Sequence, residues 1–141
     1  MPVNKVWNAW TKPENLMRWW GPAGYTSPFW TMNFTTGGKY HACMRKPDGT
    51  DIWSTGIFTE IIPQKKIVFT DSFADSNGRV VDPSYYDMPA MQPELLVTVE
   101  FEDVSGKTGI TLQHAGLPAS IADDCIKGWQ SSLDKLERKL K

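Results

Sequence analysis

Cysteine, excess charge and long apolar runs are all scarce in this sequence, and each scarcity excludes a class of protein. Only two of the 141 residues are cysteines, Cys43 and Cys125, and they form no CxxC pattern, so we expect neither a disulfide framework nor a zinc site. The formal net charge of −1 gives no reason to expect nucleic acid or an anionic membrane as a partner. Because we find neither a signal peptide nor an apolar run long enough to span a bilayer, we predict a cytoplasmic protein without membrane association.

Short catalytic motifs are missing as well. The sequence contains no G-x-S-x-G nucleophile turn, no HExxH zinc pair, no glycine-rich phosphate loop and no dinucleotide-binding glycine pattern. We therefore predict no cofactor and no metal, and we favour a protein that is not an enzyme.

Tryptophan, by contrast, is abundant, with seven residues in a chain of 141. Each indole can bury a large ring, but its N–H group needs a hydrogen-bond partner when buried. An interior rich in tryptophan suits either a tightly packed core or a ligand cavity lined by aromatic rings, and composition does not separate the two. The length predicts one domain, residues 1–141, that is large enough to form a real core.

The last part of the chain, residues 120–140, has the apolar spacing of one face of a long helix. The residues on this face are Ile121, Cys125, Trp129, Leu133, Leu136 and Leu140. The opposite face is charged, and the basic residues near the end of the segment favour the negative pole of the helix dipole. Two shorter helices are predicted within residues 3–20, before Gly21 and Pro22 end the second.

Between these helices the apolar pattern changes to a period of two, which indicates β-strands separated by turns. The predicted strands are 29–35, 39–46, 51–62, 66–73, 95–102 and 108–114. Turn residues such as Pro47-Asp48-Gly49 connect consecutive strands, so an antiparallel arrangement is expected. Hairpins followed by one long helix predict an α+β fold, in which a curved sheet of about six strands packs on the apolar face of that helix.

One long segment, residues 75–93, has little periodicity. It contains three prolines and four large side chains, those of Tyr85, Tyr86, Met88 and Met91. A disordered insertion is the alternative interpretation, but aromatic and methionine side chains usually pack on something. We therefore predict that this segment forms a lid or the rim of a pocket.

Several motifs, taken in order along the chain, resemble those of a known family. They are residues 6–14 and 18–22, Gly37-Gly38-Lys39-Tyr40, residues 44–49, Gly56, Glu60-Ile61-Ile62-Pro63 and Gly128-Trp129. Over almost the whole chain they resemble AHSA-type domains, which are related to the activator of the 90-kDa heat-shock-protein ATPase and belong to the START/Bet v 1-like (SRPBCC) superfamily. The resemblance implies a helix-grip fold, in which an antiparallel sheet curls around a long C-terminal helix and encloses a deep cavity.

The sequence departs from this family at its start. Such domains normally begin with a β-strand before the first short helix, whereas this sequence begins at the helix. A natural truncation and a misassigned start site are both compatible with the departure. If it is natural, the sheet has an unpaired edge that can pair with a second chain, and a homodimer is predicted.

Two titratable residues, His114 and Asp71, are predicted by strand alternation to face the interior among apolar neighbours. A buried carboxylate needs a partner, and His114 and Arg45 are the candidates for Asp71. A hydrogen-bonded core histidine is the alternative interpretation of His114. The predicted ligand-binding residues, each of which can equally fill core volume, are Trp19, Trp53, Phe69, Phe73, Tyr85, Tyr86, Met88, His114 and Trp129.

Three functions are compatible with these observations. The leading hypothesis is the non-catalytic binding of a small hydrophobic or aromatic molecule between sheet and helix, oriented by His114, Tyr85 and Tyr86. An enzyme similar to polyketide cyclases and dehydratases is the alternative that the superfamily resemblance implies. A co-chaperone of a 90-kDa heat-shock protein is the third. The resemblance implies that this contact needs a separate N-terminal domain, which we do not recognise here, so we expect no binding to that chaperone.

Overall fold

The computed structural model of the protein describes residues 1–140, which form three α-helices and six β-strands. The helices are α1 (Val3–Thr11), α2 (Pro13–Trp19) and α3 (Ala119–Leu140). The strands are β1 (Thr26–Met32), β2 (Lys39–Arg45), β3 (Asp51–Ile62), β4 (Lys66–Ala74), β5 (Leu95–Val104) and β6 (Lys107–Ala115). A single 3₁₀ turn, Pro83–Tyr86, lies between β4 and β5. The strands form one antiparallel sheet in their order along the chain.

This architecture confirms the predicted α+β helix-grip fold, and the bounds of β3 agree with the prediction. Strand β1 differs, because it spans Thr26–Met32 and therefore ends three residues before the predicted end. The chain turns tightly after Met32, and the backbone N–H of Gly38 donates to the carbonyl oxygen of Thr35 at 2.8 Å. A Cβ atom on Gly38 would lie 1.9 Å from the carbonyl oxygen of Asn33, so only glycine fits there. The β-branched residues Thr35 and Thr36 favour a strand, but the close approach of the backbone at Gly38 makes this segment a loop.

Strand β5 illustrates how alternation sets the two faces of the sheet. Its buried residues are Leu95, Val97, Val99 and Phe101. The hairpin to β6 turns at Ser105 and Gly106, whose φ angles of 53° and 83° are those of a two-residue type I′ turn. In the described sheet β1 and β6 are the outer strands, and a homodimer through a sheet edge stays a prediction.

One end of the concave face is packed with side chains from α1, α2 and the second half of α3. Trp19 is fully buried, and its Nε1–H donates to the carbonyl oxygen of Ala9 at 2.9 Å. The ring of Trp10 meets that of Trp19 edge to face, with the centroids 4.9 Å apart, a geometry that adds to the gain from burial. We call this region the filled end, and its largest members are Trp10, Leu16, Trp19, Trp30, Tyr40, Phe58, Phe69 and Phe101.

Helix α3 packs closely through its second half only. Its buried residues are Ser132, Lys135, Leu136 and Leu140, and none of residues 119–131 is buried. The Nζ of Lys135 donates to the carbonyl oxygens of Pro22 at 3.2 Å and Tyr25 at 2.8 Å, and Ser131 Oγ accepts from the N–H of Ala23 at 2.8 Å. These bonds fix α3 to the loop after α2. None of the helices within residues 1–140 has the length and apolar character that crossing a membrane requires.

Candidate ligand-binding site

A hollow of about 480 Å³ lies between the sheet and the first half of α3. Its wall on the sheet includes Met44, Ile52, Ser54, Asp71, Phe73 and His114. Its wall on α3 includes Ile121, Cys125, Gly128 and Trp129. The segments before β1 and before β5 complete it with Trp20, Gly21, Pro22, Tyr25, Tyr86, Met88 and Met91. We call this region the hollow end.

Trp129 separates the hollow end from the filled end. Its ring is stacked on that of Trp10 with the centroids 6.1 Å apart, and it meets the ring of Trp20 edge on at 5.3 Å. Ile121 and Cys125 lie two turns and one turn earlier on the same face of α3, so the helical repeat places all three side chains toward the sheet.

A chain of polar side chains crosses the wall of the hollow. The Nε1–H of Trp129 donates to Nδ1 of His114 at 3.2 Å. Nε2 of the same imidazole lies 3.5 Å from Oδ2 of Asp71, and Oδ1 of Asp71 accepts from the hydroxyl of Tyr40 at 3.1 Å. Of the two candidate partners predicted for Asp71, His114 is therefore the one that lies beside it, whereas Arg45 forms its ion pair with Asp51 at 2.7 Å.

The tautomer of His114 follows from its partner. An indole N–H can only donate, so Nδ1 must be the acceptor and the neutral ring carries its proton on Nε2. The Nε2–H group lies beside Asp71 Oδ2, but the distance of 3.5 Å between Nε2 and Oδ2 is longer than a normal N–H···O bond of about 2.9 Å. His114 consequently carries a buried donor, and not a basic lone pair, at the wall of the hollow.

Burial favours the neutral forms of three titratable groups on the sheet and on α3. Burial, reinforced by the negative charge of Asp71, raises the pKa of Tyr40 well above its usual value. Burial also raises the pKa of Cys125, and it raises the pKa of Cys43 to about 11. Both cysteines are free thiols. Among residues 1–140 no group of three or more His, Cys, Asp or Glu side chains is placed to hold a metal ion.

Five of the nine predicted ligand-binding residues line the hollow, and these are Phe73, Tyr86, Met88, His114 and Trp129. Their contact with a ligand stays a prediction. The hydroxyl of Tyr86 is already engaged, because it accepts from the N–H of Trp53 at 3.1 Å and donates to the carbonyl oxygen of Ala74. These two bonds connect the start of β3 to the end of β4. The hydroxyl of Tyr86 is therefore occupied, and its ring is the part that can contact a ligand in the hollow.

The other four predicted residues lie outside the hollow. Trp19 and Phe69 belong to the filled end. Trp53 lies on the convex face of the sheet. The strand register pairs it with Cys43 of β2, and its ring stacks on that of His41 with the centroids 4.7 Å apart. Tyr85 is 62% exposed and touches the hollow only through its neighbour, meeting the ring of Tyr86 edge on at 4.9 Å.

Several residues of the hollow were not among the predicted ligand-binding residues. They include Trp20, Tyr25, Met44, Asp71, Met91 and Cys125. Sequence signals existed for four of them, because Asp71 was predicted to face the interior and Met91 belongs to the segment predicted to form a lid or the rim of a pocket. Met44 alternates with Tyr40 on β2, and Cys125 is on the apolar stripe of the terminal helix. Trp20 and Tyr25 gave no such signal, because they flank the loop that Lys135 holds against α3.

A curled antiparallel sheet, a long terminal helix and a hollow between them define a helix-grip domain of the α+β class. The chain belongs to the family described as Activator of Hsp90 ATPase homolog 1-like protein, whose model matches residues 1–141. The family resemblance found in the sequence is therefore confirmed.

Solved structures with the same fold come from several bacteria. A protein from Arthrobacter aurescens is 29% identical with a TM-score of 0.81, and the match covers 99% of this chain and 79% of that one. A protein from Staphylococcus epidermidis is 28% identical with a TM-score of 0.75, and the match covers 99% of this chain and 82% of that one. The AHSA1 protein from Silicibacter pomeroyi is 26% identical with a TM-score of 0.74, and the match covers 96% of this chain and 88% of that one. None of the curated proteins is significantly similar in sequence to this chain.

Proposed function

We propose that this protein binds a small hydrophobic or aromatic molecule in the hollow end, without transforming it. The volume of about 480 Å³ supports this function, since small-molecule sites in proteins measure roughly 300–1,000 Å³. Most of the side chains around it are apolar, and the polar ones include Lys46, Asp71 and His114, so apolar contacts can bind a ligand while polar groups orient it.

The observation that carries the proposal is the contrast between the hollow and its surroundings. At the filled end the space left among the rings is only about 10 Å³, room for one water molecule. Side chains of this protein therefore pack densely where the fold brings them together. The larger space lies where the first half of α3 stands off from the sheet. Its methionines, Met44, Met88 and Met91, have flexible side chains that can adapt to a guest.

A titration with a neutral fluorescent probe, N-phenyl-1-naphthylamine, tests the proposal. The Cys125→Phe variant places a ring inside the hollow, and Ile126→Phe is its matched control, because Ile126 is the next residue of α3 and is 55% exposed. We expect the probe to bind the wild type and Ile126→Phe equally, and Cys125→Phe about tenfold or more weakly. Equal binding to all three proteins, or to none, would overturn the proposal.

An acid–base enzyme of the polyketide cyclase or dehydratase kind is the second candidate, favoured by the proximity of Asp71 and His114. Since His114 presents an N–H group, Asp71 would have to be the base. Native mass spectrometry of the purified protein separates the two functions. A binding protein releases its co-purified ligand unchanged, whereas an enzyme converts it and Asp71→Asn abolishes the conversion. Binding to a 90-kDa heat-shock protein, tested by pull-down, is the third function, and we expect none.

A further inference from the structure

Three buried side-chain nitrogens within residues 1–140 have no hydrogen-bond partner. Two of them, Trp10 Nε1 and Trp30 Nε1, belong to the filled end, beside its void of about 10 Å³. The third, His114 Nε2, lies on the wall of the hollow. A buried donor without a partner is unfavourable by about 1–3 kcal/mol, and of the three only His114 Nε2 adjoins a space large enough for a guest that would pair with it.

The atom beside this donor has the opposite character. Oδ1 of Asp71 accepts from Tyr40, whereas within residues 1–140 the polar side-chain atom found near Oδ2 is His114 Nε2, at the long distance of 3.5 Å. A carboxylate oxygen can accept two hydrogen bonds, so Oδ2 keeps free lone pairs. The wall therefore offers one donor and one acceptor side by side.

Few chemical groups satisfy both atoms. An anion would accept from His114 but is repelled by the Asp71 carboxylate, and an ammonium group would pair with Asp71 but leave His114 unpaired. A ketone or an ether accepts only. A neutral hydroxyl does both, because its oxygen accepts from Nε2–H and rotation about its C–O bond turns its hydrogen toward Oδ2.

We infer that the guest of the hollow is a hydroxyl-bearing aromatic molecule, whose hydroxyl bridges His114 Nε2 and Asp71 Oδ2. The rings of Phe73, Tyr86 and Trp129, which line the same hollow, take the aromatic body. This inference rests on the proposed function and adds to it the chemical class of the ligand.

The test uses three ligands of one shape on the full chain, namely naphthalene, 2-methoxynaphthalene and 2-naphthol, followed by quenching of tryptophan fluorescence. We expect 2-naphthol to bind the wild type about tenfold or more tightly than naphthalene, since a hydrogen bond to a charged group is among the stronger ones. The methoxy compound accepts but does not donate, and we expect it to bind no better than naphthalene.

Two variants locate the hydroxyl. Asp71→Asn and His114→Leu should each reduce the preference for 2-naphthol to about threefold or less, with naphthalene binding unchanged as the readout of an intact fold. Lys46→Met is the matched control, because Lys46 also lines the hollow but takes no part in the proposed contact, and it should keep the full preference.

The possible failures are distinguishable. If naphthalene binds and 2-naphthol binds no more tightly, the hydroxyl inference is wrong and the proposed binding function stands. A preference that survives both Asp71→Asn and His114→Leu would place the hydroxyl elsewhere and overturn the inference as well. If none of the three ligands binds, both the inference and the proposed function fail.

Discussion

The two ends of one concave face contrast in how they are filled. At the filled end about 10 Å³ remains among the rings of Trp10, Trp30 and Phe69, whereas the hollow end leaves about 480 Å³. The same six-stranded sheet forms the wall of both. The filled end is covered by α1, α2 and the second half of α3, but the hollow end is covered only by the first half of α3 and two loops. In this fold, the elements that cover the sheet therefore determine whether a cavity remains on its concave face.

The boundary between the two ends falls between adjacent residues. Ala42 on β2 and Ser54 on β3 are register partners on the concave face. Ala42 is 1% exposed and belongs to the core, whereas Ser54 lines the hollow. Trp129 marks the same boundary on α3, since it is stacked on Trp10 and also donates to His114.

The largest expected difference between the ends comes from removing a side chain. Trp19→Ala deletes a fully buried indole and leaves the carbonyl oxygen of Ala9 without its donor, so we expect a loss of about 3–5 kcal/mol in the free energy of unfolding. Met88→Ala, at the rim of the hollow, should lose less than about 1 kcal/mol. Urea denaturation of the wild type and of both variants measures these free energies of unfolding. Similar losses in the two would mean that the ends are equally packed.

The sequence predicts most of the fold and about half of the site, for different reasons. Strand alternation and turn residues are local, so the bounds of β3 and the inward direction of His114 and Asp71 could be predicted. Trp53 could not be assigned a face, because β3 carries apolar residues on both faces, with Ile52 and Phe58 on one and Trp53 on the other.

Composition and periodicity do not predict the hollow, although the family resemblance implies a cavity between the sheet and the long helix. A packed core and a lined cavity use the same residue types, and Trp129 is compatible with both. Whether space remains depends on how far α3 stands from the sheet. That distance is set by contacts far apart in the chain, such as the bonds from Lys135 to the carbonyl oxygens of Pro22 and Tyr25.

A smaller difference is expected from adding volume at the boundary. Ala42→Leu forces three extra carbons into the filled end, and overpacking of this kind destabilises a core by about 1–3 kcal/mol. Ser54→Leu adds a side chain that the hollow can accommodate, so we expect its stability to stay within about 1 kcal/mol of the wild type while probe binding is lost. Thermal or urea unfolding and the probe titration measure both. Equal destabilisation by Ala42→Leu and Ser54→Leu would mean that these two positions do not differ in packing.

The smallest expected effect concerns Tyr40, which connects the two ends. Its ring packs at the filled end, and its hydroxyl donates a hydrogen bond to Asp71 at the hollow. Its pKa is raised by burial and by Asp71, above the value of 10.0 for the unfolded chain. The stabilisation from its neutral hydroxyl is therefore complete below pH 10 and is lost as pH rises further, by at most about 1.4 kcal/mol per pH unit.

Tyr40→Phe removes this titration together with the bonds to Asp71 and the carbonyl oxygen of Thr70. Near pH 7 the variant should be about 1 kcal/mol less stable than the wild type, and the gap should shrink above pH 10, because only the wild-type unfolded state releases the Tyr40 proton. Lys135 has a pKa lowered by burial and shifts stability in the opposite direction, but it is present in both proteins and cancels in the difference. Urea unfolding between pH 7 and 11 measures the gap. A gap independent of pH would mean that the Tyr40 hydroxyl is open to water, and the filled end would then not reach Asp71.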